Sequence, residues 1–366
     1  MIKIVYLVST LRKTGPTSVL YNIIRHLDKK KYEIYVISLS PEVENRSALD
    51  DFTALGINFQ SLNLSRLKGY LYGGFKLRKM INKINPDIIN VQCFRTILLS
   101  IFLPKKYKKI AIIHCDYDVD YRMLHGSVTG FIMSKIQDFV LKTINKKVCV
   151  SGLLCDLLQK KKKLDLTFTD NGIDTDKFKP AQNKADLRQK LNLPADKKIW
   201  IWAGVMIERK NPLLLVEAIR QLNTDDIFIF CGDGNLSSEI KEKTKDLNNV
   251  ILTGNVDNIN EYLQASDYYI STSFSEGLPM SVIEAMACSL PMILSDIEQH
   301  KYVLKENSGM LFKTGDMNDL ISKIKNISNV DYNLYSSCAR ESAHKYFSSV
   351  LMSENYQKKY EELLNR

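Results

Sequence analysis

The sequence predicts an α/β protein of two domains, each built on a parallel sheet with helices on both faces. Three observations carry this. Short apolar, β-branched runs alternate with longer helical patterns from one end of the chain to the other. A polar stretch holding Pro180 and Pro194, between Phe178 and Asp196, divides that series in two. The chain has 366 residues, enough for two full cores, and its 45% apolar and 25% charged content is that of an ordinary soluble globular protein.

In the first half, strands are expected at Ile2–Val8, Glu33–Leu39, Asp87–Val91, Ile110–His114 and Lys147–Ser151, with a first helix over Thr17–Leu27. In the second half they are expected at Ile199–Ala203, Ile227–Cys231, Val250–Thr253, Tyr268–Thr272 and Pro291–Leu294. Tyr346 to Arg366 has a charged helical pattern. Parallel α/β sheets bind ligands beyond the carboxyl ends of their strands, so the segments leaving the strands hold the candidate sites.

The net charge is +10, and it is unevenly spread. Residues 1–170 hold 28 Lys and Arg against 14 Asp and Glu, so the first half is the basic one. A basic face suits nucleic acid, an anionic membrane or a polyanionic substrate. No nucleic-acid module is recognisable, and nucleic acid is not expected as a partner. The seven cysteines form no C-x-x-C pair, as in reduced, cytosolic, mostly buried thiols. Ile2–Val8 and Ile97–Leu103 are too short to span a bilayer, and no signal peptide is visible. A cytoplasmic protein is expected, attached to the membrane at most peripherally.

The richest stretch runs from Glu276 to Pro291. It sets Glu276 in a Gly/Pro loop after a strand, and Glu284 in the first turns of a helix. Gly277 opens that loop and Pro279 stiffens it, which leaves backbone amides and a helix N-terminus free for an anion. Ser281-x-x-Glu284 also reads as a capping box. A second segment, Gly204 to Pro212, leaves a strand with Arg209 and Lys210 adjacent, as suits a diphosphate; a solvated turn reads equally well. The first strand is followed by Lys13-Thr14-Gly15-Pro16-Thr17-Ser18, which matches neither G-x-G-x-x-G nor G-x-x-x-x-G-K-[ST]. Gly232-Asp233-Gly234 follows another strand. His114 sits at a strand end. Asp116 and Asp118 form an acidic pair without supporting metal ligands, and Lys160–Lys163 is the sharpest charge cluster, read as a solvated helix end or loop.

Together these segments resemble the retaining glycosyltransferases of family 4, which have the GT-B fold. The likeness runs over most of the chain: Thr14-Gly15-Pro16, His114, Asn171-Gly172-Ile173-Asp174, Gly204 to Lys210, Gly232–Gly234, Thr253-Gly254-Asn255-Val256 and Glu276 to Glu284, in family order. Two positions depart from the pattern. Val205 stands where the family often has Arg, and Pro16 where it often has a second glycine.

The resemblance implies two Rossmann-like domains facing across a cleft. Residues 1–178 would bind the acceptor and 179–345 the nucleotide-sugar, while 346–366 would form a helix crossing back to the first domain. It implies that Glu284 binds the ribose hydroxyls and that Arg209 and Lys210 hold the diphosphate beside Gly204. Glu276, with the loop of Gly277, Leu278, Pro279 and Met280, would take the sugar, while the backbone amides at the helix start, Ser281 and Val282, would help to hold the diphosphate. Val256 would meet the base through its backbone, and Gly15 and His114 would face the reaction centre. Glu276, His114, Lys210 and Arg209 are thus the catalytic candidates. The expected reaction is transfer of a hexose or N-acetylhexosamine, with retention, from a UDP-sugar rather than a GDP-sugar. No metal ion and no cofactor is expected.

The acceptor is read from charge. Arg66, Lys68, Lys76, Arg78, Lys79 and Lys83 interleave with Tyr70, Tyr72 and Phe75. Such a pattern suits an anionic membrane surface, and with it a saccharide acceptor linked to a polyprenyl diphosphate, in cell-surface polysaccharide synthesis; a soluble acceptor is the alternative. Alternatives are a GT-B sugar-nucleotide epimerase, a catalytically inactive scaffold subunit, and a hydrolase using Glu276 and Glu284 as paired acids.

Overall fold

The computed structural model describes residues 1–43, 46–305 and 307–365. The chain divides into two compact units, Met1–Gly172 with Ser349–Arg366, and Ile173–Ser348. Arg366, the last residue of the expected terminal helix, lies outside the described residues.

The first unit holds β1 (Ile2–Val8), β2 (Tyr32–Ser38), β3 (Asn58–Ser61), β4 (Ile88–Val91), β5 (Lys108–Ile113), β6 (Lys146–Cys149) and β7 (Thr167–Phe168). They form a seven-stranded sheet in the order β3-β2-β1-β4-β5-β6-β7. Every pairing is parallel. β1 is apolar apart from the half-buried Lys3, as befits a strand whose sheet is covered on both faces. The order reverses between β1 and β4, which is where an open α/β sheet forms its ligand crevice.

The second unit holds β8 (Ile199–Ala203), β9 (Ile227–Cys231), β10 (Val250–Gly254), β11 (Tyr268–Ser271), β12 (Met292–Ser295) and β13 (Gly309–Phe312). These form a parallel sheet ordered β10-β9-β8-β11-β12-β13. β8 shows the period of two directly. Ile199, Ile201 and Ala203 enter one core, whereas Trp200 and Trp202 enter the core on the opposite face. Here the order reverses between β8 and β11.

The units divide at Gly172/Ile173 rather than at the expected 178. Ile173 and Phe178 are buried in the second unit's core, and the Ile173 amide donates to the Phe347 carbonyl at 2.8 Å. The polar stretch after Phe178 is not a linker. Its helix, Lys184–Lys190, buries Arg188, whose guanidinium bonds Asp267 at 2.6 Å and the Ala265 carbonyl at 2.9 Å. Likewise Tyr346 and Phe347 end a second-unit helix, Tyr332–Phe347, and the chain rejoins the first unit at Ser349. There the helix Ser349–Leu363 buries Met352, Tyr356 and Tyr360. The Tyr360 hydroxyl lies 2.9 Å from that of Tyr6 and 3.3 Å from Asn90 Nδ2.

The first helix spans Gly15–Arg25, starting two residues before the expected Thr17, because Pro16 sits in its first turn, where a missing N–H costs nothing. The lysine run is only partly a solvated end. The Lys162 side chain is 8% exposed and bridges Asp118 at 2.8 Å and Asp138 at 2.9 Å, while Lys161 pairs with Asp116 at 2.5 Å. The acidic pair Asp116/Asp118 is therefore neutralised by lysines.

Candidate functional site

Two loops meet at the β8/β11 switch point. One leaves β8 and carries Arg209 and Lys210 in a short 3-10 turn, Glu208–Lys210; the other leaves β11 and carries Glu276. They are stitched together by their backbones. The Phe274 amide donates to the Arg209 carbonyl at 2.8 Å, and the Thr272 hydroxyl donates to the carbonyls of Lys210 at 3.1 Å and Asn211 at 2.8 Å.

The result is an ion cluster around one buried carboxylate. Lys210 Nζ donates to Glu276 Oε1 at 2.5 Å, Arg209 Nη1 to Glu276 Oε2 at 3.3 Å, and the Ser273 hydroxyl to Oε1 at 2.7 Å. The Glu276 side chain is only 6% exposed. Burial alone would raise its pKa, but the Lys210 ammonium, the Ser273 bond and Arg209 outweigh it and hold the carboxyl below its usual range. Two cations against one carboxylate leave a surplus positive charge beside the sheet edge.

Beneath this cluster runs a polar chain that sequence reasoning missed. Ser273 Oγ lies 3.3 Å from Ser271 Oγ, which lies 3.3 Å from His300 Nε2; His300 Nδ1 lies 3.0 Å from Ser295 Oγ, which donates to the Ser273 carbonyl at 2.6 Å. Burial pushes the His300 pKa down to about 4, so the ring is neutral and holds the loop by hydrogen bonds alone. The Ser271-Thr272-Ser273 run at the end of β11 is the available signal; nothing in the sequence marks His300.

Glu284 sits apart from the ion cluster. It lines a small cavity of about 230 Å³ with Gly204, Val205, Gly232, Val256 and Ser281. Burial raises its pKa to about 7, with Lys177 and Lys210 opposing. Gly204 joins the two groups, since a Cβ built on it would lie 3.7 Å from Lys210 Cε. Gly232 is forced by close approach: its φ is +139°, and a Cβ there would stand 1.9 Å from the Gly204 carbonyl oxygen.

The helix Met280–Ala287 begins with Pro279 as its N-cap, and no side chain caps it. The capping box is therefore not made. Ser281 already lies inside the helix and accepts from the Tyr269 hydroxyl at 2.9 Å, while Glu284 stands one turn further on. Leu278 and Pro279 are buried, and Leu278 packs in the core. Val282 is 0% exposed, and its amide donates to the Pro279 carbonyl at 3.1 Å. Gly277 and Met280 are half-buried at the loop and helix start.

His114 and Gly15 belong to the first unit. His114 directly follows β5 and lines a cavity of about 380 Å³ at the β1/β4 switch point, with Ser9, Thr10, Gln92, Cys93 and Tyr121. Its Nε2 is buried without a hydrogen-bond partner among the described residues, and burial pushes its pKa down to about 4. The imidazole is thus neutral, with one nitrogen available to a bound group. Gly15 opens the first helix and is exposed; its neighbours Thr14, Pro16 and Thr17 line the cavity instead. A Cβ on Gly15 would meet nothing within 4 Å, so packing does not demand glycine there.

Two parallel α/β sheets, one with a cavity and the other with an ion cluster at its switch point, define a two-domain α/β fold with ligand crevices beyond the carboxyl ends of its strands, and comparison with known proteins narrows it. The family model described as Glycosyl transferases group 1 matches residues 183–345, and that described as Glycosyltransferase Family 4 matches residues 14–177. The chain belongs to this family of glycosyltransferases and has its GT-B fold. It is 26% identical over 266 residues to the UDP-Gal:alpha-D-GlcNAc-diphosphoundecaprenol alpha-1,3-galactosyltransferase of Escherichia coli, covering 69% of this chain and 69% of that protein. It is 24% identical over 357 residues to the capsular polysaccharide biosynthesis glycosyltransferase CapH of Staphylococcus aureus, covering 92% of this chain and 95% of the relative. Among solved structures, Anabaena HepE in complex with UDP and glucose superimposes with a TM-score of 0.81 at 17% identity, over 98% of this chain and 99% of that one.

Proposed function

We propose that this glycosyltransferase moves a hexose or N-acetylhexosamine from a UDP-sugar to a lipid-linked saccharide, with retention of configuration, in cell-surface polysaccharide synthesis. The observation that carries the reading is the Lys210–Arg209–Glu276 cluster beside the uncapped start of the helix Met280–Ala287. Breaking a sugar–diphosphate bond builds negative charge on the leaving phosphate. Fixed cations and a helix N-terminus are the means of stabilising it, and they supply the charge a metal ion would otherwise bring. Glu276, held ionised by its cations, offers acceptors to sugar hydroxyls, and Glu284 offers them to the ribose.

The named donor of the Escherichia coli relative and the UDP bound in HepE support UDP as the donor nucleotide. Two features support the lipid-linked acceptor. The same Escherichia coli relative is named for a diphosphoundecaprenol-linked sugar. In this chain the helix Arg66–Ile84 holds no acid and exposes Leu67, Tyr70, Leu71, Tyr72 and Phe75 among its cations. Such a helix suits the anionic inner face of the cell membrane.

The test is a donor screen on the purified chain, read by mass spectrometry with and without polyprenyl-diphosphate saccharides. Transfer to a lipid acceptor from a UDP-sugar is expected, unaffected by EDTA. Turnover of the donor alone to an epimer would replace this reading with the epimerase, and no turnover of any donor with scaffold function.

A further inference from the structure

The helices Tyr117–His125 and Ser127–Leu141 form a hairpin joined at Gly126, which has φ +82°. One face is anchored through buried Tyr117, Ser134, Gln137, Val140 and Leu141. The other leaves Met123, Leu124, Val128, Phe131, Ile132 and Phe139 open to solvent, from 45% at Phe131 to 74% at Val128. A contiguous apolar surface of this kind marks an interaction site rather than scattered exposure.

The charges around it have one sign. The exposed ionisable residues of the hairpin are Arg122, His125 and Lys135. Arg122 stands 5.4 Å and Lys135 5.3 Å from the Phe131 ring, so both cations ring the apolar face. Asp118 and Asp138 are half-buried and tied to Lys162, and Asp120 is half-buried and lines the His114 cavity. An apolar face ringed by cations complements anionic headgroups over hydrocarbon. A second copy would bring a like-charged rim against it.

The hairpin also connects to the candidate site. Leu124 is exposed, yet it lines the His114 cavity together with Tyr121. The Tyr121 ring packs edge-on against Phe94 at 5.5 Å, and the adjacent Arg95 lies 5.9 Å from the ring of Tyr70 on the basic helix Arg66–Ile84. The apolar hairpin, the cavity mouth and the basic helix thus adjoin within one unit.

We propose that this hairpin dips into an anionic lipid surface and sets the mouth of the His114 cavity at headgroup level. The saccharide of the acceptor then reaches the cavity while its lipid stays in the bilayer. This rests on the lipid-linked reading of the acceptor. Among the described residues no helix is long and apolar enough to cross a membrane, so the contact is interfacial.

The test uses the full chain with Phe131→Trp or Phe139→Trp and vesicles of phosphatidylglycerol and phosphatidylethanolamine carrying brominated acyl chains. The native Trp200 and Trp202 are buried in the other unit and give a constant background. Blue-shifted, bromine-quenched emission at both sites is expected, and Ile132→Asp with Phe139→Asp should lower vesicle partitioning about tenfold or more. Both sites are exposed, so an unchanged melting temperature accompanies the loss. Binding without quenching overturns the hairpin's role and leaves the lipid-linked reading standing. No binding at low salt overturns both. A dimer that Phe139→Asp dissolves would assign the face to a second copy and overturn the proposal.

Discussion

Lys210 Nζ sits 2.5 Å from Glu276 Oε1, and this contact joins the loop after β8 to the loop after β11. Both side chains are largely buried, at 14% and 6% exposed. Removing one partner leaves an uncompensated buried charge, which costs about 3 kcal/mol or more. Lys210→Ala should therefore lower stability as well as turnover, the latter by about 10²–10³. Adding Glu276→Gln should restore most of the melting temperature and none of the turnover. Thermal melts and steady-state rates on the double-mutant cycle check this.

Glu284 gives a pH dependence with a defined sign. Its carboxyl titrates at about 7 in the folded chain because it is buried, against an ordinary value of 4.5. The stability tied to its proton is fully present below the unfolded value and is lost as pH rises through about 7. Glu284→Gln should thus flatten the fall in melting temperature between acid and neutral pH. Ribose hydroxyls bind the ionised carboxylate better, so UDP affinity should rise through the same window in the parent and not in the variant. Calorimetry across that range reads both.

Val205 is 55% exposed at the cavity it shares with Glu284 and Gly204. Val205→Arg adds a third cation there without burying it. Donor KM should fall several-fold with little change in melting temperature, as measured by initial rates at low and high salt. An unchanged KM would show that this position does not face the phosphates.

Gly232→Ala should be costly. The new methyl would meet the Gly204 carbonyl at 1.9 Å in a backbone conformation of φ +139°. A loss of about 2 kcal/mol or more is expected, together with weaker UDP binding, because the Gly204 loop must move. Parent-like affinity with a lowered melting temperature would confine Gly232 to a structural role.

The sheets were legible where strands are covered on both faces. The bounds expected for Ile2–Val8, Ile199–Ala203 and Ile227–Cys231 are the ones observed, because a strand buried on both sides is apolar almost throughout, Lys3 being the one charged residue among them. The unread strands were β3 (Asn58–Ser61), β7 (Thr167–Phe168) and β13 (Gly309–Phe312), all at sheet edges. Edge strands have half the neighbours, so they are short and tolerate polar residues such as Asn58 and Gln60. At the candidate site, motif order located Lys210, Glu276 and Glu284. It did not show that Lys210 and Arg209 neutralise Glu276, nor that Val282 is spent on the core. Those facts depend on which residues β8 and β11 bring together across 66 positions of sequence, which local pattern does not encode.

The most direct measurement compares UDP with UMP binding to the purified chain and to Lys210→Ala by isothermal titration calorimetry. If Lys210 and Arg209 hold the diphosphate, UDP binds the parent far more tightly than UMP, and most of that difference disappears in the variant. Equal affinities for UDP and UMP in the parent, or a difference that survives Lys210→Ala intact, would contradict a diphosphate site at this ion cluster.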